Sequence, residues 1–214
     1  MTSLAWILAA AAGVVALVEW WATWESRKSV RYVTKPLTLV LLIGVAVALD
    51  PFDSGVRSWM VAGLVLSLAG DVFLLGEGKK WFIGGLVSFL LGHVAYVIAM
   101  QSQYDSLPSL LLGLAVVALC IATAGRIIVT QVREKGLSEM VGPIVGYLVV
   151  ISAMVVAAFG TAAPWAIAGA LLFYTSDATL AWNRFVEPRR ILHLIVMVTY
   201  HLAQAGLVAW LVTG

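Results

Sequence analysis

Residues 64–96 read LVLSLAGDVFLLGEGKKWFIGGLVSFLLGHVAY. Two apolar runs flank the hydrophilic turn Gly76-Glu77-Gly78-Lys79-Lys80. The pattern predicts two antiparallel helices joined by a tight loop. One residue inside the first run does not belong in lipid: Asp71. An ionised aspartate in an apolar helix costs at least a few kcal/mol, so it must be paired, protonated or facing a wet cavity. A similar event recurs in the C-terminal half, where Ser176-Asp177 is followed by Tyr200-His201 and Gln204. Working outward from these two aspartates organises the rest of the chain.

The chain has 214 residues, of which 62% are hydrophobic and 11% charged, with a mean hydropathy of +1.01. So few charges cannot cover the surface of a soluble domain this long. The composition is that of an integral membrane protein. A helix crossing the hydrocarbon core needs about 20 apolar residues. That criterion gives eight spans, at 4–23, 32–49, 58–76, 81–100, 108–128, 142–160, 163–183 and 191–212. The loops between them are short, and nothing alternates as barrel strands do. The expected fold is an all-α bundle of eight transmembrane helices in a single domain, 1–214. A cleavable secretory signal is not expected, because Met1-Thr2-Ser3 carries no positive charge ahead of the first apolar run. No basic patch stands outside the loops, so nucleic acid is not an expected partner. Cys120 lies within an apolar run and reads as a small packing residue.

Basic residues set the orientation. Twelve of the 13 lysines and arginines fall on the loops following spans one, three, five and seven or on the adjoining helix ends, and only Arg57 is opposite. This asymmetry predicts cytoplasmic basic loops and both termini outside, as for a multi-pass protein of the bacterial inner membrane. The tryptophans near span ends, Trp20 and Trp210 among them, read as interfacial belts. Small residues at four-residue spacing, Gly63-Ser67-Asp71 and Gly84-Ser88-Gly92, read as close helix contacts. Asp71 and Asp177 each occupy the third helix of a four-helix half, which suggests a parallel repeat of residues 1–106 and 107–214.

Depth sorts the buried polar residues. At 1.5 Å per residue, Glu19, Lys35, Asp71 and Asp177 lie roughly 6–9 Å inside the basic helix ends. His93 and His201 come nearer the midplane, with Tyr96 and Gln204 beyond them. Tyr174 shares a helix face with Asp177, and Tyr200 neighbours His201. Both aspartates are expected in the last turns of their helices, where the dipole opposes a negative charge. Burial and a second carboxylate act in the same sense, which favours a neutral carboxylic acid for at least one of them. Two carboxyls with divided protonation supply a general acid and a general base. The competing reading is that these groups only bond helices together or pair with Lys35, Arg126 or Arg184. Two aspartates, two histidines and a lysine at matching depth favour a site. His93, His201 and an aspartate do not have zinc-motif spacing, so no metal or other cofactor is expected.

The segments Thr34-Lys35-Pro36-Leu37, Leu68–Leu75, Phe82–Gly85 with Ser88–Tyr96, Gly169–Phe173 leading to Ser176-Asp177, and Thr199–Gln204 together resemble the YhhN family of membrane proteins, which includes lysoplasmalogenases. The resemblance implies hydrolysis of the vinyl ether bond of a lysolipid drawn from the bilayer. It also implies that Asp71 and Asp177 are the catalytic pair. Lys35, His93 and Tyr96 correspond to family positions, and Tyr174, Tyr200, His201, Gln204 and Glu19 are added here as expected substrate contacts. Protonating the outer alkene carbon of a vinyl ether gives an oxocarbenium ion, which water attacks, so two carboxyls suit the chemistry as they do in glycosidases. Which one is the acid stays open at this level, as does the oligomeric state. The rival readings are a proton-coupled small-molecule or lipid transporter using the same carboxyls, and a non-catalytic scaffold. Polar groups crowded toward one side favour the enzyme.

Overall fold

The computed structural model describes residues 2–214, and all regular structure among them is helical. The helices are α1 (Ser3–Trp24), α2 (Lys28–Ala48), α3 (Ser54–Leu75), α4 (Lys79–Gln101), α5 (Leu107–Cys120), α6 (Arg126–Glu134), α7 (Ser138–Gly160), α8 (Pro164–Phe185) and α9 (Arg190–Thr213). A π-helical turn, Ile121–Gly125, joins α5 to α6. The pieces α5 and α6 thus form one 28-residue rod, and the described chain makes eight rods. Most are 21–24 residues long. At 1.5 Å per residue that is about 32–36 Å, enough for a hydrocarbon core of about 30 Å.

Seven of the rods have the length and apolarity of membrane spans; the exception is α8. Its polar run Tyr174-Thr175-Ser176-Asp177 lies in the middle of the helix. The chemistry-bearing segment is therefore what makes α8 the least lipid-like rod.

Consecutive rods pair as hairpins, α1 with α2, α3 with α4, α5 with α7, and α8 with α9. Further contacts of α2 with α3, α4 with α7, α7 with α8 and α9 with α1 close a ring, while α5 packs against α7 on its outside. Cross-loop bonds show which ends lie together. At one end Lys28 meets Glu77 at 3.0 Å, Lys79 meets Glu139 at 3.1 Å, Lys135 donates to the Val186 carbonyl, and Arg190 donates to the Trp24 carbonyl. This is the basic end. At the terminal end Thr2 Oγ1 donates to the Ala48 carbonyl at 2.7 Å and the Phe52 N–H to the Leu211 carbonyl at 2.9 Å.

Small residues let the two tightest hairpins close. A methyl group on Gly63 of α3 would lie 2.2 Å from the Tyr96 ring of α4. Between α8 and α9, a methyl on Gly169 would lie 2.9 Å from the Leu207 side chain and 3.0 Å from its backbone nitrogen. Lipid offers no hydrophobic drive between helices, so such van der Waals contact is a main source of association.

Three sequence expectations need correction. Asp71 does lie four residues from the end of α3, but α8 continues to Phe185, so Asp177 is two turns from its helix end and largely outside the reach of the dipole. Helix α2 begins at Lys28, which puts Pro36 two turns inside it instead of at its start. Trp210 is fully buried against Phe52 and is no interfacial belt residue.

Because Gly63 has no space for a side-chain atom, Gly63→Ala is expected to lower stability by about 1–3 kcal/mol through overpacking against Tyr96. Thermal unfolding in detergent measures this. The paired change Gly63→Ala/Tyr96→Leu should recover part of the loss.

Candidate functional site

Two carboxyls stand inside the bundle, each met by a tyrosine from another helix. Asp71 of α3 is buried, accepts a hydrogen bond on Oδ2 from the Tyr200 hydroxyl of α9 at 2.8 Å, and meets Lys35 Nζ of α2 with Oδ1 at 3.2 Å. Oδ1 takes no well-directed hydrogen bond; charge attraction holds it. Lys35 is itself 6% exposed, so this is an ion pair with little water around it. Such a pair is tolerated only with close approach and further hydrogen bonding, which Tyr200 provides.

Asp177 of α8 is the second centre. Its Oδ2 accepts a hydrogen bond from the Tyr147 hydroxyl of α7 and lies 3.7 Å from His93 Nε2 of α4. No lysine or arginine pairs with it among the described residues. His93 is buried, and neither ring nitrogen has a hydrogen-bond partner in the protein. Its ring stands edge-on to Tyr147 and to Phe173, with centroids 5.4 and 4.6 Å away.

Phe173 connects the two centres. It is one turn before Asp177 on α8, and its ring also lies 5.4 Å from Tyr200. Phe89 packs edge-on against both Phe173 and Tyr200. Each carboxyl thus has its own hydroxyl donor, and Phe173 packs against His93 of one centre and Tyr200 of the other.

A polar row continues deeper into the bundle. Tyr96 donates to Gln204 Oε1 at 2.7 Å, while Gln204 Nε2 and Ser67 Oγ are buried without a partner. Ser67 precedes Asp71 by one turn and Gln204 follows Tyr200 by one turn, so the row shares the helix faces of the first centre. His201 accepts a 3.0 Å hydrogen bond on Nδ1 from the Trp20 indole of α1.

The remaining expected contacts sort differently. Tyr174 and Asp177 line one apolar cleft between α6, α7 and α8, which also includes Ala124 and Gly125 of the π turn. Glu19 is fully buried and saturated, accepting from Arg31 at 3.0 Å, Thr23 at 3.1 Å and Thr34 at 2.5 Å. It ties α1 to α2 and has no spare oxygen facing either aspartate. Among the described residues no three His, Cys, Asp or Glu side chains cluster as metal ligands would.

Tyr147, Phe173 and Trp20 are the residues that sequence reading missed. Tyr147 follows Gly146 in an unremarkable apolar run, and only the α7–α8 contact reveals its partner. Trp20 has the position of a belt residue, yet its N–H is turned inward to His201. A tyrosine well inside an apolar helix was a usable signal, since a buried hydroxyl needs a partner.

An all-helical, multi-pass membrane protein with two tyrosine-bonded carboxyls in its interior is the class that fold and site define. The chain belongs to the YhhN family, whose model matches residues 30–211. It is 31% identical over 171 residues to a protein of Mycobacterium bovis named lysoplasmalogenase, covering 78% of this chain and 65% of that one. It is 33% identical over 172 residues to human lysoplasmalogenase TMEM86B, covering 79% of this chain and 70% of the human protein. Human lysoplasmalogenase TMEM86A is 31% identical over 149 residues, which cover 66% of this chain and 60% of that protein. The match therefore spans just under two thirds of the mycobacterial relative's length. No solved structure matches the chain.

Removing one member of the Lys35–Asp71 pair strands a charge away from water. Lys35→Met and Asp71→Asn are each expected to destabilise the protein by about 3–5 kcal/mol. The double variant should regain most of that loss, a coupling that unfolding measurements in detergent report.

Proposed function

We propose that the protein hydrolyses the vinyl ether of a lysoplasmalogen-type lysolipid, releasing a fatty aldehyde and a glycerophospho-alcohol. The observation that carries this reading is the pair of unlike carboxyls: Asp71 bound to a lysine, Asp177 bound to a tyrosine with no cation beside it. The names of the relatives supply the reaction class, and the pair supplies a chemistry for it.

Roles follow from the partners. Lys35 stabilises the ionised form of Asp71, which makes Asp71 the base and the counter-charge for a cation. Asp177, without a cation, holds the proton and is the acid. Asp177 gives its proton to the outer alkene carbon, and the double-bond electrons form the new C–H bond. The ether oxygen then shares its lone pair with the adjacent carbon as an oxocarbenium ion. Asp71 takes a proton from water as the oxygen attacks that carbon. The resulting hemiacetal loses its hydroxyl proton and expels the glycerol oxygen, which takes up a proton, leaving aldehyde and alcohol. Water supplies both new groups, and the acid and base exchange protons back through the site. Tyr200 and Tyr147 hold the two carboxyls in place.

Placement follows the same reading. All eight rods cross the membrane, α8 included, as a single transmembrane domain. The four basic loops are cytoplasmic, both termini are extracytoplasmic, and the site opens toward the cytoplasm of a bacterial inner-membrane protein. The two halves are parallel repeats, supported by the α3–α4 and α8–α9 hairpins, each closed by glycine and each carrying one aspartate.

Purified protein given a lysoplasmalogen should release aldehyde. Asp71→Asn and Asp177→Asn should each slow that release by at least about 100-fold, the usual scale for a lost acid or base. Chelator should leave the rate unchanged. Wild type silent on every vinyl ether lipid sinks the activity, and near-normal turnover in either variant sinks the two-carboxyl mechanism.

Orientation is checked separately. In a Cys120→Ser background, Thr213→Cys should react only with impermeant reagent outside the membrane. Lys135→Cys should react only from the cytoplasmic face. The reverse labelling overturns the placement.

A further inference from the structure

The largest cavity described in the molecule is lined by neither aspartate, and meets the hydrogen bonds described above only at Trp20 and His201. It lies between α1, α2 and α9 and has a volume of about 520 Å³. Its origin is legible in α1, where Ala9, Ala12, Gly13 and Ala16 recur at helical spacing and line it. A side chain built on Gly13 would meet nothing within 4 Å. The wall of α1 is low because its residues are small.

The cavity is polar at one end only. Thr38, Trp20 and His201 stand at the end nearer the basic loops, and Trp6, Leu49 and Val212 stand at the other. His201 is 3% exposed. Since its Nδ1 accepts from Trp20, its proton is on Nε2, and Nε2 has no partner in the protein. His201 and its Trp20 partner therefore form the polar head of an apolar trough. The adjacent residue on α9, Tyr200, is the one that holds Asp71.

We propose that this trough binds one unbranched hydrocarbon chain, with the root of the chain at the end formed by Trp20, Thr38 and His201. The proposal deepens the reading above, because it assigns a place to the tail of a single-chain substrate. Dimensions agree with one chain. From Trp6 to Trp20 along α1 is about 21 Å at 1.5 Å per residue. The far end is pinned by the Thr2–Ala48 and Phe52–Leu211 hydrogen bonds, which sets a limit on length. The α1 wall lies outside residues 30–211, so its small face is read from this chain alone.

The test is equilibrium binding of saturated alkyl-ether lysophosphocholines, which carry no vinyl ether to cleave. Gly13→Leu fills the trough where no atom stands. It should weaken the octadecyl lipid at least tenfold and the decyl lipid less than threefold. Val14→Leu, on the exposed side of the same helix, should change neither. A dialkyl phosphocholine should bind wild type at least tenfold more weakly than the octadecyl lysolipid. Equal losses for both tails in Gly13→Leu, the same discrimination in Val14→Leu, or equal affinity for the two-chain lipid overturns the proposal. Because no turnover is measured, the trough stands or falls independently of aldehyde release.

Discussion

One buried ion pair constrains much of this structure. Lys35 and Asp71 meet at 3.2 Å where both are almost fully removed from water. A carboxylate and an ammonium cannot be left there singly, so α2 and α3 must be held in a fixed relation. Tyr200 extends the constraint to α9 by satisfying the second oxygen of Asp71. Three helices are thereby fixed by two contacts on one carboxylate. The close packing of α3 on α4 and of α8 on α9 then sets where Asp177 stands.

The two centres differ in kind, and the difference is produced by neighbours, not by depth. Asp71 has a cation and a hydroxyl; Asp177 has a hydroxyl and the edge of His93. Identical side chains in one apolar interior acquire different chemistry by this means. Phe173 packs against His93 of one arrangement and Tyr200 of the other. The carboxyls and these partners come from six helices, so no local stretch of the chain contains either centre.

That dispersal explains what was legible in the sequence. Asp71, Lys35 and His93 were readable, because polar residues in apolar runs are costly and therefore conspicuous. The number of helical rods was readable from hydrophobic length, but their ends were not. The partners Tyr147 and Phe173 were not, since an aromatic residue in a membrane helix is unexceptional until its neighbour is known. Trp20 was misassigned because a tryptophan near a helix end fits an interfacial belt equally well. Asp177 was placed too near its helix terminus because α8 continues through Asn183 and Arg184 beyond the apolar run. The π turn at Ile121–Gly125 gave no signal, as its residues are ordinary helix formers.

The sequence separations of the key bonds bear on how the protein is made. Tyr200 reaches Asp71 across 129 residues, and Trp20 reaches His201 across 181. Each hairpin can enter the bilayer as it leaves the ribosome, but the early ones carry their polar groups unmatched. Asp71 has Lys35 from the start and obtains its tyrosine only when the last helix arrives. The final helix therefore acts as a keystone: synthesis must finish before the interior is electrostatically complete. A chain stopped before α9 leaves Asp71 without its hydroxyl donor and Trp20 without its acceptor.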